Sequence, residues 1–452
     1  MPLLHRLFRV SERESTGRTE VLAGLVTFAT MAYILVVNPA ILGSLPDHTG
    51  ATLDHAQLVT VTALVAGVMT IAMGLVADVP MALAAGLGVN AFVAFTLVGG
   101  RGLTWPEAMG VIVVEGLVML LLVLVGLREA IMNAIPDALK RALAGGIGLF
   151  IALIGLVNGG IVEHPEAGTI VALGEGFASW NTLVFVIGLV AIPVLMAWRV
   201  PGALLIGIVV AAAAGLLVNA FADGTPVAGA ELPDSVAALP DFGLVGEFSF
   251  DFVEVLGIGT AAALVVTVLM ANFFDAMGTA LAIGREANLT DENGQLPQMR
   301  RVLIVESVGA IAGGGASASS NTIFVESSAG AAQGGRTGLA NIVTGALFLL
   351  AMFFAPLAGM IPSAATGPAL VIVGALMISQ IAGVDWSDVG VAVPAFATVA
   401  LMPFTYSIAN GVGAGMVLYV LIAVGRGRWR DVHPLLAVVA VVFVWYFLRG
   451  PI

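Results

Sequence analysis

The sequence predicts an all-α polytopic membrane protein of about fourteen transmembrane segments, in two inverted repeats of seven. Three observations predict it. Hydrophobic residues fill 59% of the 452 positions and charged residues only 10%, and the mean hydropathy is +1.06. A water-soluble fold that apolar would have too little left to cover its surface. The apolar residues also gather into many stretches of bilayer length, and Lys and Arg recur at alternate gaps between them.

In order, the candidate spans cover 20–43, 57–78, 82–98, 107–126, 140–158, 180–198 and 202–221. A second set covers 254–284, 300–316, 318–333, 337–361, 367–382, 388–406 and 409–425. A last apolar stretch, 433–449, is either an extra span or a helix lying along the interface. Arg6, Arg9, Arg13 and Arg18 precede the first span. Arg128, Lys140 and Arg141 follow the fourth, Arg199 the sixth, and Arg285, Arg300 and Arg301 the eighth. Arg336 follows the tenth, and Arg426, Arg428 and Arg430 the fourteenth. With the N-terminus inside, all of these are cytoplasmic. Two acidic loops, near 159–179 and 222–254, then fall outside; they hold Glu163, Glu166 and Glu175, and Asp223, Glu231, Asp234, Asp241, Glu247, Asp251 and Glu254.

A net charge of −12 argues against nucleic acid as a partner, because phosphate binding needs clustered cations. Cysteine is absent, which removes disulfides, thiol catalysis and Cys-ligated metals. The start, MPLLHRLFRVSERESTGRTE, has no apolar stretch before a small-residue cleavage site, so no cleavable signal is expected. All five histidines, His5, His48, His55, His164 and His433, fall in loops or at segment ends, which speaks against histidine as coupling group or metal ligand.

Seven is odd, so two sets of seven stand in opposite orientations. The third and tenth segments correspond: one reads AAGLGVNAF (84–92), the other GGGASASSNTIF (313–324), and both are small-residue runs ending in Asn and then an aromatic. IPDALKRALAGGIGLFIALIG (135–155) matches IPSAATGPALVIVGALMIS (361–379) in the same way. Paired short, Gly-interrupted segments in matching positions point to a transporter binding site. If each run is extended and meets a half-helix, free backbone N–H groups face the bilayer centre. Small residues that merely permit close helix packing are the alternative.

Ionisable residues inside spans are costly and mark functional sites. Four are deep: Glu115, Asp275, Glu306 and Glu326. Asp275 shares a helix face with Asn272 and Thr279, at i−3 and i+4. Glu326 stands between Ser319-Ser320-Asn321-Thr322 and Ser327-Ser328. A carboxyl group drawn out of water holds its proton more readily, so it can couple transport to protons and can hydrogen-bond a heterocycle's ring N–H. A structural carboxylate met by backbone N–H groups is the alternative, and for Glu115 and Glu306, without comparable polar company, the structural role leads. Phe92, Phe273, Phe274 and Phe324 are available to stack on an aromatic ligand, although packing is the commoner use. Asn38-Pro39 reads as a kink, structural before functional.

The segments TGRTEVLAGLVTFATMAYILVVNPAIL (16–42), AGLGVNAF (85–92), NFFDAMGTALAIG (272–284) and SNTIFVESSAGAAQGGRTGLANIVTG (320–345) resemble the nucleobase:cation symporter-2 family. The nearest branch is the adenine/guanine/hypoxanthine permeases, the AzgA-like group. The resemblance runs from about 13 to 425 and is most specific from Glu326 through Gly338. It implies short strands and half-helices in segments 3 and 10, a core domain (20–126 and 254–361) and a gate domain (127–253 and 362–430). It also implies proton-coupled purine import by an elevator motion. By position, Asp275 matches the family's span-8 acid, Glu326 the span-10 residue that contacts the base, and Asn90 the span-3 polar residue. Ser327 stands where the xanthine/urate and uracil branches carry Asn, and Thr279 where the uracil branch carries His; both favour the purine permeases.

The expected substrate site is therefore Glu326, Asp275, Asn90, Thr279, Asn272, Phe92, Phe274 and Ser327, with Asp275 and Glu326 also coupling protons. No catalytic or metal-binding residue and no cofactor beyond the proton gradient is expected. The expected partners are a small purine base and the lipid bilayer, with a homodimer left open. The expected place is the cell's inner (plasma) membrane, multi-pass, with residues 1–19 cytoplasmic and 431–452 as a C-terminal apolar segment. An anion or other nucleobase (xanthine/uracil) carrier of the same fold is the first rival. A membrane-embedded enzyme is the second; it lacks a deep histidine or a cysteine to work with.

Overall fold

The computed structural model describes residues 8–126, 134–163, 171–174, 179–222, 224, 226–233, 235–292 and 294–449. Arg6, Arg128, Glu166, Glu175, Asp223, Asp234, His5 and His164, named above, lie outside the described residues. The first half comprises α1 (Gly17–Met31), α2 (Ile34–Leu42), α3 (His55–Ala77), β1 (Leu83–Ala85), α4 (Leu87–Ala91), which continues as a π-helix (Phe92–Val98), α5 (Trp105–Leu124), α6 (Asp137–Asn158), the hairpin strands β2 (Val162–Glu163) and β3 (Ala172–Leu173), α7 (Trp180–Ala197) and α8 (Ala203–Phe221). The second comprises α9 (Phe252–Leu256), α10 (Ile258–Glu286), α11 (Met299–Gly315), β4 (Asn321–Ile323), α12 (Ser327–Ala332), α13 (Gly338–Ala351), α14 (Ala355–Gly359), α15 (Ser363–Ile378), α16 (Val389–Phe404), α17 (Ile408–Gly425) and α18 (Pro434–Arg449).

Among the described residues, 10 helices are long and apolar enough to cross a bilayer. They coincide with ten of the expected segments. The stretches at 82–98 and 318–333 are instead strand-plus-half-helix, while α11 and α16 are shorter helices. Helix starts follow local chemistry: Thr104 and Glu107 form a reciprocal capping box on α5, and Asp54 accepts from the Gln57 N–H at the start of α3.

The packing of one half recurs in the other. Helix α3 lies on α13 as α5 lies on α11, and α7 lies on α8 as α16 lies on α17. Helix α6 meets α16 as α15 meets α7, and α1 meets α12 as α10 meets α4. Between the halves, α6 and α15 run along each other, and both begin after a proline, Pro136 and Pro362. Lipid supplies no hydrophobic drive between helices, so close approach through small residues must hold them. A Cβ on Gly155 would stand 2.5 Å from the Gly367 carbonyl oxygen, and one on Gly74 2.5 Å from that of Gly338.

Three expectations need correction. The run 313–320 is not extended as a whole: Gly313–Gly315 end α11, and the strand lies at Asn321–Ile323. Asn90 and Asn321 are therefore not counterparts, since Asn90 is helical and Asn321 opens a strand. The first segment breaks at Ala32–Tyr33 rather than at Asn38-Pro39. Pro39 stays inside α2, and Asn38 donates to the Thr62 hydroxyl (2.7 Å) and the Ala318 carbonyl (3.3 Å), a structural tie between segments 1, 2 and 10.

Candidate functional site

Two short strands meet in the middle of this helical assembly. β1 and β4 pair antiparallel, Leu83 with Ile323, Ala84 with Thr322 and Ala85 with Asn321. All six residues are buried, so every backbone group beyond the ladder needs a partner inside the protein. The neighbours supply them. The Thr70 hydroxyl accepts from the Leu83 N–H (2.9 Å) and donates to its carbonyl (3.1 Å). Asn341 Nδ2 donates to the carbonyls of Val79 (2.9 Å) and Met81 (2.8 Å). The Gly86 N–H donates to the Ser320 carbonyl at 2.9 Å, and that of Phe324 to the Ala82 carbonyl at 3.0 Å.

Each strand leads into a half-helix, α4 after Gly86 and α12 after Glu326. The Glu326 carboxylate does not cap its own helix. Instead Oε1 accepts a 2.7 Å hydrogen bond from the Tyr33 hydroxyl. Tyr33 is buried at the break between α1 and α2, where the interrupted helix frees it to reach across, and its ring centroid lies 6.4 Å from that of Phe324.

Asp275 projects from α10 into open space. It is exposed, and nothing lies within 4 Å of a Cβ built on Gly278 three residues on. Thr279 is half-buried on the same face. Asp275 stands close enough to Glu326, and to Glu306, for their charges to interact. Asn272 turns inward. It is buried, and its Nδ2 donates to Glu115 Oε1 (3.3 Å) and Ser320 Oγ (2.8 Å). The Ser320 hydroxyl in turn donates to Glu115 Oε2 at 3.4 Å, and the Thr322 hydroxyl to Glu306 Oε1 at 2.7 Å.

So Asp275 is exposed with the half-buried Glu326 within electrostatic range, while Glu115 and Glu306 sit apart in a fully buried polar layer. The expectation that these two glutamates lack polar company is corrected: the partners of Glu115 come from segments 8 and 10, far off in sequence, and that of Glu306 from the strand 16 residues on. Asn272 belongs to the buried layer and not to an open stripe with Asp275. Ser327 has a structural bond: its buried hydroxyl accepts the Ala82 N–H at 3.0 Å and ties α12 to the approach to β1.

Asn90 is fully buried on α4, and neither amide atom has a hydrogen-bond partner. Phe92 is buried in the π-helix. Phe274 lies half-buried beside Asp275, edge-on to Phe273 at 5.8 Å and under the Lys140 ammonium at 5.2 Å. Sequence reasoning passed over Tyr33, Ser320 and Thr322 as site members. One signal was available for Tyr33: it is one of 4 tyrosines and interrupts an apolar span.

The profile described as "Permease family" matches residues 18–414. The chain belongs to this permease family. The adenine permease AdeQ of Escherichia coli (strain K12) is 39% identical over 440 residues, 97% of this chain and 95% of the relative. The guanine/hypoxanthine permease PbuG of Bacillus subtilis (strain 168) is 40% identical over 445 residues, 98% of each. These permease relatives bear out the resemblance to the adenine/guanine/hypoxanthine branch.

Among solved structures, the transmembrane domain of a cyanobacterium bicarbonate transporter, BicA, matches with a TM-score of 0.62 at 16% identity, covering 87% of this chain and 97% of that one. The murine Slc26a9 anion transporter in the inward-facing state matches at 0.61 and 12% identity, covering 90% and 68%. The fold is shared. With its many apolar helices, this permease is a multi-pass membrane protein.

Proposed function

We propose that the chain is a proton-coupled importer of purine nucleobases, adenine, guanine or hypoxanthine, working by elevator-type alternating access. One observation carries the reading: Tyr33 donates to the half-buried Glu326, which lies within electrostatic range of the exposed Asp275, at the crossing of two broken segments. The named substrates of the full-length relatives, adenine for AdeQ and guanine/hypoxanthine for PbuG, support the purine assignment.

In this reading Glu326 accepts the ring N–H edge of the base, and Tyr33 fixes the carboxylate's direction. Asn90 pairs with a second edge through its free amide, Phe274 offers its ring for stacking, and Asp275 exchanges protons with water. Fourteen segments form two inverted repeats of seven, supported by the packing that recurs from one half to the other and by the antiparallel strand pair. Segments 1–4 and 8–11 form the moving core, and 5–7 and 12–14 the gate. The N-terminus is cytoplasmic in the cell's inner membrane, following the basic loops. The anion cargo of the structural neighbours suits this site poorly: among the described residues no salt bridge joins a cation to Glu326, Asp275, Glu115 or Glu306.

The test is uptake of labelled adenine, guanine and hypoxanthine in cells lacking their own permeases, with Glu326→Gln and Asp275→Asn variants checked for insertion. Loss of uptake in both is expected. Uptake equal to the parent in both variants would sink the assignment.

A further inference from the structure

The transport cycle just described leaves one buried carboxyl group on α11 without a task. Glu306 is fully buried. Its Oε1 accepts from the Thr322 hydroxyl at 2.7 Å, and its Oε2 has no hydrogen-bond partner. The elements packed around α11 bring only carboxylates into electrostatic range, Glu115 from α5 and Asp275 from α10. Helix α3 carries no titratable group except His55 at its first residue, and β1 and β4 carry none. The helix's own Arg300 and Arg301 stand at its start, about one and a half turns away.

An ionised Glu306 would be a buried anion with no cation beside it and only neutral donors, the Thr322 hydroxyl and the Ile323 N–H, to meet it, a costly state for a buried charge. As a neutral acid it keeps the Thr322 bond at Oε1 and leaves unpaired only an O–H, a far smaller penalty. The surroundings point the same way. Asn272 Oδ1 and both amide atoms of Asn321 are buried without partners, and Asn272 already belongs to the cluster through Glu115 and Ser320. The layer that holds Glu306 is thus polar and uncharged apart from its carboxyl groups, with buried amide atoms that no protein group meets. Of the cluster only Asp275 is exposed.

We propose that Glu306 is the binding site of the co-transported proton, with Asp275 as its port to water. The proton passes from water to the Asp275 carboxylate and then to Glu306, and it leaves by the reverse transfer. The inference rests on the proton-coupled purine reading above and moves the proton's resting place from the substrate site to the buried polar layer. The link to substrate is β4: Thr322 holds Glu306, and Glu326 follows four residues later on the same strand-to-helix passage. Discharging Glu306 adds a negative charge near Asp275 and alters the bond that anchors the strand, so proton and base each change the other's affinity.

The experiment uses full-length protein in proteoliposomes with labelled hypoxanthine and labelled adenine. It reads accumulation driven by an imposed pH gradient, proton entry by an internal dye, and counterflow without a gradient. Glu306→Gln is expected to keep counterflow within about threefold of the parent while losing accumulation and purine-evoked proton entry by about tenfold or more. If the parent couples purine to protons and Glu306→Gln does so equally, this inference falls and the transport reading stands. If the parent moves purine with sodium and not with protons, the inference falls. If the parent moves no purine, both fall. Should Glu306→Gln not be recovered as folded protein, Thr322→Val decides: a shift of about half a pH unit or more in half-maximal accumulation is expected, and an unmoved profile overturns the proposal.

Discussion

The Tyr33 hydroxyl donates a 2.7 Å hydrogen bond to Glu326 Oε1, joining the break in the first spanning segment to the residue that opens the half-helix of the tenth. A hydrogen bond to a charged group contributes about 1.5–3 kcal/mol, and removing one partner leaves the other to meet its desolvation alone. Tyr33→Phe keeps the ring against Phe324 and deletes only the donor. Labelled-purine uptake at trace concentration should fall about tenfold to a hundredfold, with the amount of inserted protein unchanged. An unchanged uptake rate would detach Tyr33 from the site.

Ser327 makes the opposite prediction. Its hydroxyl accepts the buried Ala82 N–H and lies 4.0 Å from Met31 Sδ, so both of its contacts are inside the protein. Ser327→Ala should lower thermal stability by the cost of one orphaned buried donor, about 1–3 kcal/mol. The order of preference among competing purines should not change. A competition panel that reordered the bases, with the melting temperature intact, would return Ser327 to the substrate site.

The contrast between Ser327 and Tyr33 marks how far sequence could reach. The segments were legible because bilayer-length apolar stretches and alternating basic gaps are written locally. Segments 3 and 10 were legible as broken, because short Gly-interrupted runs stand at matching positions of the two halves. What was not legible is pairing. Glu115 lies 157 residues from Asn272 and 205 from Ser320, and Tyr33 lies 293 from Glu326. No periodicity spans such distances. Without the antiparallel register of β1 and β4, Glu115 and Glu306 read as lone carboxylates, and Asn321 reads as the twin of Asn90.

Asp47 gives a prediction about pH on the loop side of the molecule. It is buried between α2 and α3, and its Oδ1 accepts from the Thr49 N–H (2.8 Å), the Thr49 hydroxyl (2.6 Å) and the Ala51 N–H (3.1 Å). The Trp105 N–H reaches its Oδ2 at 3.4 Å, tying the loop to the start of α5. Burial pushes the carboxyl up, but these hydrogen bonds outweigh it and hold the group below its ordinary value of 3.8. A depressed carboxyl contributes stability that is present above the ordinary value and lost as pH falls through the folded one. Asp47→Asn should therefore lower the melting temperature at neutral pH, and its deficit against the parent should shrink as the pH drops below 3.8. A deficit that stayed constant across that range would mean that the charge contributes nothing.

Asn90 separates a binding residue from a packing residue without reference to any relative. A buried amide normally has partners, and leaving both its atoms unmet costs the fold several kcal/mol, roughly 1–3 for each group. Asn90 meets none within the protein, although it lies on a half-helix beside the strand crossing. Replacing it breaks no protein hydrogen bond, so Asn90→Ala should leave the melting temperature equal to or above that of the parent. If the free amide is kept for the base, the same variant should bind purine about tenfold or more weakly, since each lost hydrogen bond to a bound ligand is felt in full. Isothermal titration and a melting curve on one preparation measure both. A stability loss with purine affinity intact would mean that Asn90 serves the fold, and the base would then have to be held from the Glu326 side alone.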